Sequence, residues 1–182
     1  MKRHPAHGEG GMSAESVRKI LEERARRIAS PEEMEDETGF LELLRFQLSY
    51  QEYAIEMRYV REVVLTGEIT PVPGAPPFIS GICAARGQII SLVDLRVLFS
   101  LPEKGLTDLN RVIVMTNGQI TFGILADSIT GIGTIPATAI NPPDPGLLPA
   151  AKRYLKGRAG PSLVVLDAAA ILGDPALVVE DT

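Results

Sequence analysis

The sequence predicts a mainly β protein of two small, similar subdomains packed together, preceded by one amphipathic helix. Three observations carry this. Short apolar segments separated by Gly and polar turns fill the chain after Gly39, residues 111–126 form a clear hairpin pattern, and the order of features repeats after roughly 70 residues.

Residues 1–12 (MKRHPAHGEGGM) lack periodicity and read as a disordered tail that holds both histidines, His4 and His7. From Ser13 to Ala29 the spacing of Val17, Ile20, Leu21, Ala25 and Ile28 predicts a helix, with Glu22 and Glu23 four residues before Arg26 and Arg27. Ser13 is its expected N-cap, Ser30-Pro31 its stop, and PEEMEDE an acidic turn or short second helix. Two roles stay open for this helix: a solvated flank of the domain, or a docking helix for a partner. Residues 13–38 are therefore taken as helix and linker.

After Gly39, LELLRFQLS, QEYAIEM and VREVVL read as strands, the best fit being two strands linked by a hairpin. TPVPGAPPF holds four of the 14 prolines, so it must run as an extended surface loop outside any central ladder. Residues 81–99 (GICAARGQIISLVDLRVLF) give strand, turn at Arg86-Gly87, strand, then one helical turn. RVIVMTNGQITFGILA is a hairpin with Asn117-Gly118 as its expected two-residue turn, leading into ADSITGIGTI.

The repeat appears when the halves are compared. Tyr53-Ala54-Ile55 precedes Val60 by the interval that separates Phe122-Gly123-Ile124 from Ile129. Each half then meets a Pro-rich passage, TPVPGAPPF or NPPDPGLLP. Ile79-Ser80-Gly81 leads to Leu92-Val93-Asp94 and Val97-Leu98, as Leu155-Lys156-Gly157 leads to Val165-Leu166-Asp167 and Ile171-Leu172. A unit of this length suits a small β-barrel, which has few interior side chains and gains by packing on its twin. The seam between the two is then the expected binding groove.

Composition narrows the function. The chain has 182 residues, 45% hydrophobic and 23% charged, with net charge -5 and a pI near 5.1. An acidic balance argues against nucleic acid as partner. No apolar run reaches the roughly 18–20 residues of a membrane helix and the first residues lack a signal-peptide core, so no membrane insertion and a cytoplasmic location are expected. Cys83, the single cysteine, sits in an apolar setting and reads as an inert buried thiol. Without a histidine beyond residue 7, Ser-His-Asp and Cys-His sets are impossible, and no CxxC pair or phosphate loop is present. No cofactor or metal is expected. Asp94 and Asp167 occupy matching repeat positions; capping of the following helical turn is preferred over a carboxylate pair. Arg86 stands beside Gly87 at a loop tip, where its side chain is displayed beside an apolar seam. Arginine's bidentate chemistry there suits an interface, against the plain alternative of a surface charge with no role.

Taken together, FQLSYQEYAIEMRYVREVV, ITPVPGAPPFISGICAARGQIISLVDLR, RVIVMTNGQITFGILADSI and YLKG…LVVLDAAAIL resemble the CheW family of chemotaxis coupling proteins across about residues 40–173. The resemblance implies two five-stranded β-barrels and no enzymatic activity. It also implies an adaptor that links the cytoplasmic tips of chemoreceptors to the regulatory domain of the histidine kinase CheA, at membrane-associated receptor arrays. Carried over, Arg86 matches the family's arginine at the receptor- and kinase-binding surface, and Val60 and Glu62 match its V-x-E. Departures are Ala84-Ala85 where the family has Asn-Leu, Ser91 where it has Pro, and a shorter last hairpin. The expected organisation is a tail at 1–12, helix and linker at 13–38, the CheW-like domain at 39–173 and a C-terminal tail at 174–182. Alternatives are an adaptor of a non-motility array controlling pili or second messengers, a small-ligand β-barrel, and an enzyme using Cys83 or the Asp94 and Asp167 pair.

Overall fold

In β1 (Phe40–Leu48), Leu41 and Leu43 point to one face, while Leu44, Phe46 and Leu48 point to the other, all of them buried. A strand apolar on both faces must lie between two packed layers, and the fold supplies both. The structure is a computed structural model that describes residues 39–102, 111–144, 146 and 149–177. The expected tail at 1–12 and the helix and linker at 13–38 lie outside the described residues, as do 178–182.

β1 turns at Ser49-Tyr50 into β2 (Gln51–Glu56), and a 3-10 turn at Met57–Tyr59 passes the chain to β3 (Val60–Leu65). Next come β4 (Ile79–Ala85), β5 (Gln88–Val93) and the helical turn α1 (Leu95–Leu98), then β6 (Arg111–Thr116), β7 (Thr121–Ala126), β8 (Ser128–Pro136) and the two-residue β9 (Ile140–Asn141). The chain closes with α2 (Pro149–Lys152), β10 (Leu155–Ala159), β11 (Leu163–Leu166), α3 (Ala168–Leu172) and a 3-10 turn at Pro175–Leu177.

These strands form two sheets, ordered β8-β1-β2-β11-β10-β9 and β3-β6-β7-β5-β4. The mainly β, two-subdomain reading holds. The second sheet has the five strands the resemblance implied, and the first adds the short β9 at its edge. Matching β1, β2, β8, β10 and β11 to β6, β7, β3, β4 and β5 makes the two orders identical, so the repeat is structural. However, each sheet draws strands from both halves: β3, β4 and β5 join β6 and β7, while β1 and β2 join β8 to β11.

Each sheet holds a small apolar cluster on one face. In the second it is Cys83, Ala85, Ile90, Leu92, Val112, Val114 and Leu125, and in the first it is Leu41, Leu43, Ala54, Leu163 and Val165. The opposite faces meet in the main core, where Phe46, Tyr53 and Ile55 pack with Ile113, Met115, Phe122 and Ile124. The expectation that the seam is a binding groove is therefore corrected: it is filled by the largest apolar cluster, because these inner faces are apolar enough to exclude water. The packed chain also runs past 173, for Leu177 is fully buried in the main core and the buried Asp174 accepts from the Ala176 amide at 2.9 Å. A hydrophobe after Pro175 thus anchors the start of the segment expected as a C-terminal tail at 174–182.

Turns follow their local chemistry. Pairing stops as soon as proline begins: Thr70 exchanges two backbone hydrogen bonds with Ile82, at 2.9 and 2.8 Å, and Pro71 follows. The β6–β7 loop has four residues, Asn117–Ile120, and not the two expected. The Asn117 Oδ1 accepts from the amides of Gln119 and Ile120 at 2.9 and 2.8 Å, so the side chain replaces the tighter turn.

Candidate partner-binding surface

The Arg86-Gly87 turn joins Ala85 to its ladder partner Gln88 with both central residues at positive φ, +47° and +78°. That geometry matches the strand twist but is costly for a residue with a Cβ, so a non-glycine here is notable. It lifts the Arg86 side chain clear of the sheet, 65% exposed, and its Nε lies 2.6 Å from Glu62 Oε2 on β3. Beside this pair, Arg61 donates to Gln88 Oε1 at 2.6 Å. β3 and β4 are opposite edges of the sheet, so these contacts show the sheet curling until side chains, not backbone, close it.

Two of the three sequence-derived site residues thus meet, Arg86 and Glu62. Val60 does not join them. A bulge between Val60 and Glu62 shifts the register, and Val60 is half-buried against the main core. The exposed apolar residues of this strand are Val63 and Leu65, at 37% and 67%. Val63 heads a transverse row, Val63–Ile113–Ile124–Val93, on the main-core face of the sheet, and Ile89, 73% exposed, has the same facing as Val93. This face runs out of the core into solvent, carrying Val63, Leu65 and Ile89, whereas Glu62, which holds Arg86, alternates to the opposite face with Val64. Sequence reasoning missed Val63, Leu65 and Ile89. The available signal was the unbroken Val63-Val64-Leu65, which puts apolar groups on both faces of a strand whose inner face needs only one.

The surface offers recognition without chemistry. Asp94 caps α1, accepting from the Arg96 amide at 2.9 Å and pairing with the Arg96 guanidinium at 3.0 Å; Asp167 caps α3 through the Ala170 amide at 3.0 Å. Both take the capping role expected of them. Cys83 is buried in the second sheet's own cluster, and burial raises its thiol pKa, which suppresses the nucleophilic thiolate. Among the described residues no group of three His, Cys, Asp or Glu side chains is placed to hold a metal ion, and no helix is long and apolar enough to cross a membrane.

Comparison with known proteins gives concordant matches. The family profile of the CheW-like domain matches residues 42–176. The chemotaxis protein CheW of Klebsiella aerogenes is 32% identical over 132 residues, covering 71% of this chain and 78% of that protein. Protein FrzA of Myxococcus xanthus is 31% identical over 114 residues, 63% of this chain and 71% of that protein. The crystal structure of the scaffolding protein TtCheW from Thermoanaerobacter tengcongensis superposes with a TM-score of 0.62 at 27% identity, covering 70% of this chain and 84% of that one.

Proposed function

The chain belongs to the CheW-like domain family, and from that premise we propose that it couples chemoreceptor tips to the regulatory domain of the histidine kinase CheA. The coarser statement needs no proposal: it is a scaffold of chemotaxis signalling, and members of this family are adaptors, not enzymes. The enzyme, ligand-barrel and non-motility readings are not favoured.

The observation that carries the finer reading is the Arg86–Glu62 pair, on a sheet that also exposes Val63, Leu65 and Ile89. The pair is open on its arginine side only, 65% exposed against 12% for Glu62, so the guanidinium is within reach of a partner carboxylate while Glu62 holds it from behind. Arginine's five donors can serve two carboxylates, and apolar neighbours that become desolvated on docking strengthen the interaction. An adaptor of this kind works by holding two proteins side by side, so that a shift in one biases the other.

The test is titration of wild type and Arg86→Glu against a soluble receptor-tip fragment and the kinase regulatory domain. Loss of roughly 30-fold or more in affinity for at least one partner is expected, corresponding to about 2–5 kcal/mol for a desolvated pair. Because the Glu62 side chain is only 12% exposed and would face a like charge, Arg86→Gln is titrated alongside and unfolding curves of both variants separate a loss of fold from a loss of binding. Unchanged affinity for both partners with an intact fold would remove Arg86 from the interface.

A further inference from the structure

At the far end of β1, a cleft of about 330 Å³ opens beside the Ser49-Tyr50 turn. That volume lies at the low end of the range for small-molecule sites, roughly 300–1,000 Å³. It is not a barrel lumen, since both sheet interiors are filled by their own clusters. Leu48, Phe99, Leu155 and Val164 form apolar walls, and Tyr53 and Arg158 line the same space, with the polar Ser49, Tyr50 and Gln51 at the turn.

Their placement is fixed by three adjacent strands. Tyr53 of β2 is the ladder partner of Val164 on β11, and Val164 is the partner of Arg158 on β10, so the three side chains stand abreast on one face. The Tyr53 ring stacks on Phe46 at 6.0 Å and lies 6.3 Å from Phe99, which holds it in place. Two other cations of the same segment are engaged: Lys156 with Glu56 at 2.9 Å, Arg153 with Asp174 at 3.6 Å. Arg158 has no carboxylate within ion-pair distance among the described residues, although the protein as a whole is acidic. A guanidinium half-sheltered among apolar walls, in a chain with carboxylates to spare, is a place kept for an anion from elsewhere.

We propose that this cleft binds a small aromatic carboxylate, its two oxygens on Arg158 and its ring against Tyr53 and Phe99. The Tyr53 hydroxyl supports the assignment. Burial, opposed by the charge of Arg158, pushes its pKa up to about 12, so at neutral pH it is a hydrogen-bond donor beside a second donor. Converging donors select an acceptor-only group, which a carboxylate is and an alcohol is not.

The full chain would be titrated calorimetrically with indole-3-acetate, with tryptophol, which keeps the ring but lacks the charge, and with acetate alone, and its melting followed in parallel. Indole-3-acetate is expected to bind with a Kd of about 1 mM or tighter and to raise the melting temperature. Tryptophol should bind about tenfold more weakly, and acetate should give no measurable heat. Arg158→Gln should lower affinity for the acid by about tenfold or more without changing that for tryptophol, while Arg158→Lys keeps part of it. No binding of the acid at ~10 mM, equal affinity for acid and alcohol, or full affinity in a folded Arg158→Gln would overturn the proposal. If Arg158→Gln fails to fold, the wild-type comparison of acid with alcohol decides alone. Binding confined to an acidic peptide such as acetyl-Trp-Glu-amide would also overturn it, by assigning the cleft to a protein partner.

Discussion

Val60 and Val63, three residues apart on one strand, do opposite work. Val60 packs against the main core, whereas Val63 stands 37% exposed on the face that runs out of it. An aspartate at 60 would put a charge against buried apolar groups, so Val60→Asp is expected to cost about 2–3 kcal/mol of stability, read from urea unfolding. Val63→Asp should stay within roughly 0.5–1 kcal/mol of wild type yet weaken partner binding, because the exposed side chain has more to lose in a complex than in the free fold. Equal destabilisation by both would mean that the two positions share one environment. Here the sequence was partly legible. Gly87 announced a tight turn and placed Arg86 at its tip, and the V-x-E resemblance picked out Glu62. What side Val60 takes was not legible, because the 3-10 turn before it and the bulge after it reset the alternation, and neither leaves a local signal.

The matching strands β4 and β10 carry the same device at the same place. Gly81 and Gly157 sit at φ +145° and +155°, each just after a bulge, and in each a Cβ would collide with a backbone carbonyl, that of Thr70 or of Asn141. Those carbonyls belong to the segments that follow β3 and β8, so each glycine lets a crossing segment dock against a sheet edge. Gly131 on β8 has the same φ, +155°, but nothing within 4 Å of its Cβ position. The three glycines separate steric from torsional strain. Gly131→Ala should cost about 1 kcal/mol from backbone strain alone, while Gly81→Ala and Gly157→Ala should cost about 2–4 kcal/mol, since a backbone atom must move as well. Denaturant midpoints of the three variants check the order, and a Gly131→Ala cost equal to the others would show that the close approach contributes nothing. The ladder elements themselves were readable from alternation and turn residues. The pairing of Thr70 with Ile82 across a proline loop was not, because its cause is a missing Cβ.

Exchange of strands between halves decides how the whole molecule holds together. The repeat was visible in the order of motifs, but alternation reveals which face a residue takes and not which strand lies beside it, so a barrel from each half was the simplest reading. In the structure β5 pairs in parallel with β7 and β11 with β2, while β3 pairs antiparallel with β6 and β8 with β1, and every one of these ladders joins the first half to the second. Cutting between 106 and 107 would therefore leave neither half with a complete sheet: residues 107–182 keep the β6–β7 hairpin and the short β9–β10–β11 ladder. Among its described residues, fragment 1–106 keeps only the β1–β2 and β4–β5 hairpins as named ladders; these are marginal alone, and their apolar faces lose the partners that form the main core. The expectation is that fragments 1–106 and 107–182 are each unfolded by circular dichroism. Mixed at equal concentration, they should regain the β spectrum in a concentration-dependent, second-order step and unfold as one cooperative unit. A fragment 1–106 that showed its own cooperative melting transition would mean that the first half contains a self-sufficient core. The repeat would then be two domains in sequence, and not one domain woven from two copies.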